Sequence, residues 1–193
     1  MIIRLALLCF ALFILPLLQA CSPLTPLVEG GQQAYDGARR PALRSDADAS
    51  DPAAQFKLGN SYCCQAAGPL NHVSVYDNEK ATHWYCEAAH QGYGPAQLAL
   101  ARVYSGQQIR GVHLTMRASN LMGTTSIDRA TALMWSQVAM DNQVYKADDL
   151  HAKILKDASD ADRAKADTLL ADWKNAPCEW SQVFPGAVSA EAK

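Results

Sequence analysis

Neither sign of charge predominates in this chain: Lys and Arg number 17 and Asp and Glu 19 across 193 residues. A protein that grips nucleic acid over a broad surface needs a cationic excess, so a DNA or RNA partner is disfavoured. Reactive signatures are missing as well. There is no G-x-S-x-G, S-x-x-K, H-E-x-x-H or Walker loop, the patterns that set a nucleophile, a metal or a phosphate in place. No C-x-x-C or H-x-x-x-H pair offers metal-ligand spacing, and neither a metal nor a cofactor is expected. The one long apolar run, Leu5 to Leu18, contains Pro16 and is shorter than the about 20 residues a spanning helix needs. A permanent membrane span is therefore the weaker reading.

That run does have the layout of an export signal: Arg4 precedes it, and it stops at Gln19, Ala20 and Cys21. The segment Leu18-Gln19-Ala20-Cys21 resembles the lipobox of bacterial lipoproteins, with an aliphatic residue three places before the cysteine and a small one directly before it; Gln19 is less usual at its place. The resemblance implies cleavage after Ala20 and attachment of acyl chains, palmitate among them, to Cys21. Each buried methylene adds about 0.8 kcal/mol of membrane affinity, so several chains anchor firmly where one does not. Ser22 beside the lipidated cysteine, rather than Asp, fits sorting to the outer membrane, with the protein facing the periplasm.

Cys9 leaves with residues 1–20, which leaves Cys63, Cys64, Cys86 and Cys178 in an oxidising compartment where disulfides persist. Neighbouring residues across a trans peptide have Cα atoms about 3.8 Å apart, less than the roughly 4.4–6.8 Å that disulfides prefer. The expectation is that Cys86 pairs with one of Cys63 and Cys64, and Cys178 with the other.

From Ser22 to about Ser50, the breakers Pro23, Pro26, Gly30, Gly31 and Pro41 predict a flexible tether over 21–50. Fully flexible, the 29 residues from Ser22 to Ser50 would average roughly 30 Å end to end. Ala42 to Ala49 is a candidate for a short helix capping the domain. Helical signals follow. Asp51-Pro52 reads as an N-cap with proline at the first helical position, and Ala54, Leu58 and Tyr62 recur every four residues. Asp77 opens a second helix with Ala81, Trp84, Tyr85, Ala88 and Ala89 on one stripe and Gly92 placed to end it. A third runs from Pro95 to about Tyr104, and Asp128 opens a fourth with Ala132, Trp135 and Ala139.

These four segments are two copies of one unit, at about 51–92 and 93–143. A shift of 42 lays Ala54, Leu58 and Tyr62 on Ala96, Leu100 and Tyr104, and a shift of 51 lays Asp77, Ala81, Trp84 and Ala88 on Asp128, Ala132, Trp135 and Ala139. Such a period points to a helical array in which neighbouring units complete each other's core. The run Ala54-Gln55-Phe56-Lys57-Leu58-Gly59-Asn60-Ser61-Tyr62, with Asp77, Lys80-Ala81, Trp84-Tyr85, Ala88-Ala89 and Gly92, resembles the Sel1-like repeats, relatives of the tetratricopeptide repeats. Repeat two departs from the pattern, with Ala101 in the place of Gly59 and Asn142 or Gln143 in that of Gly92. The resemblance covers about residues 51 to 143 and implies an all-α fold: a short right-handed array of α-α hairpins, a Sel1-like solenoid.

Closing helices are expected over 144–174. Tyr145 to Leu155 forms one, and Ser159 with Asp162 offers a variant capping box ahead of the stripe Ala166, Leu169, Leu170 and Trp173. Residues 177–193 read as a C-terminal tail. Gly92-Tyr93-Gly94 joins two helices and follows no strand, so it is a helix stop and restart rather than a dinucleotide fingerprint. His83, Glu87 and His90 share a helix face; a ligand trio is conceivable, and a solvated polar face is the preferred reading. The loop between Tyr104 and Asp128 holds Arg110, His113 and Arg117 and, from Val103 to Ile127, no acid. With Ile109, Leu114, Met116, Leu121 and Met122 it is a candidate partner-binding element, since insertions in repeat arrays map to one, often binding, face. The alternative is that its apolar residues fold back on the domain.

The expected function is a non-catalytic, membrane-anchored adaptor or scaffold for envelope proteins. The rival from another class is a hydrolase or ligand-binding protein directed at cell-wall or glycan material, and a third is a disulfide-braced spacer.

Overall fold

A computed structural model of the chain describes residues 24–64, 77–107 and 126–185. All regular structure among them is helical: α1 (Leu24–Asp48), α2 (Pro52–Tyr62), α3 (Asn78–His90), α4 (Gly94–Tyr104), α5 (Arg129–Asp141), α6 (Ala147–Asp157), α7 (Asp160–Ala171) and α8 (Trp180–Val183). Helices α2 and α3 pack as a pair, as do α4 and α5, and α3 packs on α4 between them. Among the described residues no helix is long and apolar enough to cross a membrane. Residues 1–20, Cys21, and Arg110, His113, Met116, Arg117 and Met122 of the expected partner loop lie outside the described residues.

The helix starts follow the capping chemistry in the sequence. Asp51 accepts from the N–H groups of Ala53 and Ala54, Asp77 from that of Lys80, and Asp128 from that of Thr131. Ser159 and Asp162 close a reciprocal capping box at α7. Helix α6 starts at Ala147, two residues later than Tyr145, because Lys146 is left-handed with φ 66°.

Three corners, α1 to α2, α3 to α4 and α5 to α6, are built alike. Ser50, Gly92 and Gln143 each turn the chain with φ of 65°, 84° and 56°, and the next residue returns its N–H to a carbonyl five back: Asp51 to Asp46, Tyr93 to Ala88, Val144 to Ala139. Gln143, and not Asn142, therefore occupies the place of Gly92. At the first corner the Gln55 amide donates to the Ala47 carbonyl and its oxygen accepts from Gln91. At the second, Gln97 donates to the Ala89 carbonyl and accepts from Asn142. The open ends of the two pairs also match, with the N–H of Asp77 bonded to the Tyr62 carbonyl and that of Asp128 to the Tyr104 carbonyl.

The core joins these pairs through small residues on facing stripes. Ala81, Ala88, Ala96, Ala101, Ala132 and Ala139 are buried, letting helices approach, and Trp135, Tyr85, Tyr104, Leu58 and Leu100 fill the space between. Gly59 is required where it stands: a Cβ there would lie 2.7 Å from the Tyr85 ring. In the second pair the places of Gly59 and Tyr85 are taken by Ala101 and Ser136, both buried. A larger residue on one helix meets a smaller one on the other.

Three sequence expectations are corrected. The segment read as a flexible tether is helical from Leu24 to Asp48, with Pro41 inside the helix. Packing of its second half outweighs the breakers: Leu43 and Ala47 join Ala54, Leu58 and Trp84 in a core cluster, Arg40 lies 4.1 Å over the Tyr62 ring, and Arg44 lies 5.1 Å over that of Trp84. The candidate capping helix Ala42 to Ala49 is the end of this longer one.

The disulfide expectation is replaced by a different pairing. Cys86 on α3 pairs with Cys178, their Cα atoms 5.9 Å apart, and Cys63 pairs with Cys64. The expectation took the Cys63-Cys64 peptide as trans, whereas it is cis with Cα atoms 3.0 Å apart. Finally, the described part of the 177–193 tail is packed down. Tyr104 donates its hydroxyl to the Cys178 carbonyl, the Trp180 N–H bonds Thr82 Oγ1 at 2.9 Å, and Ser181 bonds the Glu79 carboxylate. Trp180 and Phe184 lie against Tyr104.

The repeated pairing ends at α7, which lies back along α5. There Lys165 pairs with Asp128 at 2.8 Å.

Candidate functional site

Helical spacing puts Cys86, Glu87 and His90 on one face of α3, and the Cys86–Cys178 bond brings the 174–182 segment alongside. Between the two lies a cleft of about 350 Å³. Glu87 and His90 border it from α3, and Lys174, Asn175, Glu179 and Gln182 from the C-terminal segment, with the disulfide at its base. Local bonds shape that segment. Asn175 donates to both oxygens of Asp172, and the Gln182 side-chain oxygen accepts from the N–H groups of Cys178 and Glu179.

The structure separates the His83, Glu87 and His90 trio. His83 reaches the C-terminal segment, a strap over α3, with its Nδ1 2.8 Å from Glu179 Oε1. His90 is half-buried, its ring 5.8 Å from that of Trp135 and 6.1 Å from that of Trp173. Burial holds its pKa below 6.5 against the pull of Glu87, and Lys174 adds to the lowering. Its Nε2 and the Trp135 indole N–H are buried without hydrogen-bond partners among the described residues. No group of three His, Cys, Asp or Glu able to hold a metal ion occurs among those residues.

Glu87 and Lys174 are both exposed and make no ion pair among the described residues, and Lys174 Nζ lies 5.7 Å from the Trp173 ring centroid. Opposite charges thus border the cleft from separate elements. Sequence reading missed Lys174, Glu179 and Gln182 as neighbours of α3, because only the disulfide and the strap contacts bring them there.

A second juxtaposition is Ser136 Oγ with His151 Nδ1 at 2.9 Å. Ser136 is fully buried and also bonds the Leu133 carbonyl at 2.8 Å. Burial lowers the His151 pKa. A nucleophile must reach substrate, so this pair reads as a bond joining α5 to α6. Burial likewise pushes the Tyr85 and Tyr104 hydroxyls up, keeping them neutral donors.

Of the expected repeat-packing residues, Ala54, Leu58, Gly59, Ala81, Trp84, Ala88, Ala96, Leu100, Tyr104, Ala132, Trp135 and Ala139 are buried, Tyr62 is half-buried against them, and Gly92 turns the corner. No family model matches the chain, and no curated protein or solved structure matches it.

Proposed function

We propose that the protein is a membrane-anchored periplasmic lipoprotein that works as a non-catalytic adaptor, presenting an array of Sel1-like helix pairs to another envelope protein. The observation that carries this reading is the recurrence of the corner: one left-handed residue, one five-residue turn bond and, at the first two corners, one glutamine relay. Repeated corners hold successive helix pairs in register, the way repeat proteins build an extended binding surface. The lipobox resemblance at Cys21 supplies the anchor, and the part of α1 ahead of Arg40, about 24 Å long at 1.5 Å per residue, supplies the spacing from the lipid.

In-cell photo-crosslinking from positions 110, 113, 117 and 122 tests the proposal. One defined envelope partner is expected, lost on deletion of residues 107 to 126. Absence of any crosslinked partner, together with a silent deletion, overturns it. Cys21→Ala should leave the helical content unchanged and release the protein from the membrane fraction.

The cell-wall ligand-binding reading is favoured by one observation, the cleft over the Cys86–Cys178 disulfide. Its chemistry is argued next.

A further inference from the structure

The cleft bears two opposite charges that do not neutralise each other, Glu87 and Lys174, while its other carboxylate, Glu179, is taken up by His83 Nδ1 at 2.8 Å. Glu87 is fixed to α3 and Lys174 to the turn after α7, and neither forms an ion pair among the described residues. Both line the same cleft as His90, which places them on one small site rather than on distant surfaces. Its base is the buried disulfide, and Ala176 and Pro177 line the wall on the strap side. At about 350 Å³ it falls at the small end of the about 300–1,000 Å³ range of small-molecule pockets. Gln182 adds a polar group whose oxygen is already occupied by two N–H groups, leaving its amide hydrogens to donate.

We propose that this cleft binds a small zwitterion of dipeptide size, its ammonium on Glu87 and its carboxylate on Lys174. A ligand with one charge would satisfy one border and leave the other unpaired. A ligand with both completes the two charge-assisted bonds at once, and such bonds are roughly twice as strong as neutral ones. The Gln182 amide is placed as a second donor to the carboxylate, while the disulfide and Pro177 give short apolar side chains a surface to lie on. The inference deepens the cell-wall ligand-binding reading and does not depend on the adaptor proposal, so either can fail alone.

The test uses the full-length protein in detergent, titrated by calorimetry with alanyl-alanine, N-acetyl-alanyl-alanine and alanyl-alanine amide. Saturable binding of the free dipeptide is expected, with about tenfold weaker binding once either end is blocked. Glu87→Gln should weaken the free dipeptide about tenfold yet leave the N-acetylated form unchanged. Lys174→Met should do the same for the free dipeptide and leave the amide unchanged. Both positions are exposed, so the folded state is retained, with the thermal midpoint as its check. No saturation by the dipeptide at millimolar concentration overturns the proposal, as does equal binding of the free and blocked forms. Loss of all three ligands in either variant also overturns it, because binding would then follow general disturbance of the cleft and not charge pairing.

Discussion

His90 shows how one residue can be held in an environment that suits only one of its forms. Its ring lies beside Trp135 and Trp173, and burial lowers its pKa below 6.5. In the unfolded chain the same group takes up a proton near pH 6.5. Below that pH the unfolded state therefore binds more protons than the folded one, and stability falls with pH until the depressed folded pKa is passed. His151, half-buried beside Ser136, acts in the same direction. The facing charges do not reverse the sign: Glu87 opposes the lowering and Lys174 adds to it, and burial is the larger effect. We expect the urea midpoint to be level above pH 7 and to decline from about pH 6.5 downward. His90→Gln should make that decline shallower. An identical decline in the variant would place the acid sensitivity elsewhere.

At the scale of elements, the glutamine relay explains why two corners agree so closely. Gln97 is fully buried, donates to the Ala89 carbonyl at 3.1 Å and accepts from Asn142 at 2.7 Å. The Ala89 carbonyl also receives the Gly92 N–H, and the exposed Asn142 can turn to water, so Gln97→Leu orphans neither partner. Its cost is then about 1 kcal/mol, the net worth of the bonds. Gln97→Ala leaves a cavity as well and should cost about 2–4 kcal/mol. A double-mutant cycle between Gln97 and Asn142 should return a coupling of about 0.5–1.5 kcal/mol, and the Gln55–Gln91 cycle a similar one. Zero coupling in either cycle would mean that the relay is geometry without energy.

The helices themselves were legible from local chemistry. Asp51, Asp77, Asp128 and Ser159 cap the helices expected of them, and Gly92 stops one. The relay was not, because Gln55 and Gln97 read as ordinary polar residues until their partners on other helices are placed. Helix α1 was hidden for a related reason. Glycine and proline counted against it locally, while the contacts of Arg40, Leu43, Arg44 and Ala47 that stabilise it lie on α2 and α3.

For the whole molecule the decisive link is Cys86–Cys178, which ties the C-terminal strap to α3 across 92 residues. Its existence could be anticipated from the oxidising compartment that the sequence leads one to expect, but its partner choice could not, since four cysteines allow three pairings. The strap explains the choice. Trp180 and Phe184 lie against Tyr104, Ser181 is bonded to Glu79 and Glu179 to His83, so Cys178 is delivered to α3. Closing a loop of this length stabilises by about 4–5 kcal/mol when only unfolded-state entropy is counted. That is a large share of the about 5–15 kcal/mol by which domains are stable. The strap's aromatic and hydrogen-bond contacts persist without the bond, so Cys86→Ala with Cys178→Ala should keep its helical circular dichroism in water while its urea midpoint drops sharply. Hydrogen exchange should rise first at Trp180 and Ser181, whose N–H groups bond Thr82 and Glu79, and later in α2. Simultaneous loss of protection in both would show that the strap and the helix pairs unfold as one unit. An unchanged midpoint would show that the bond only records a proximity the strap already enforces.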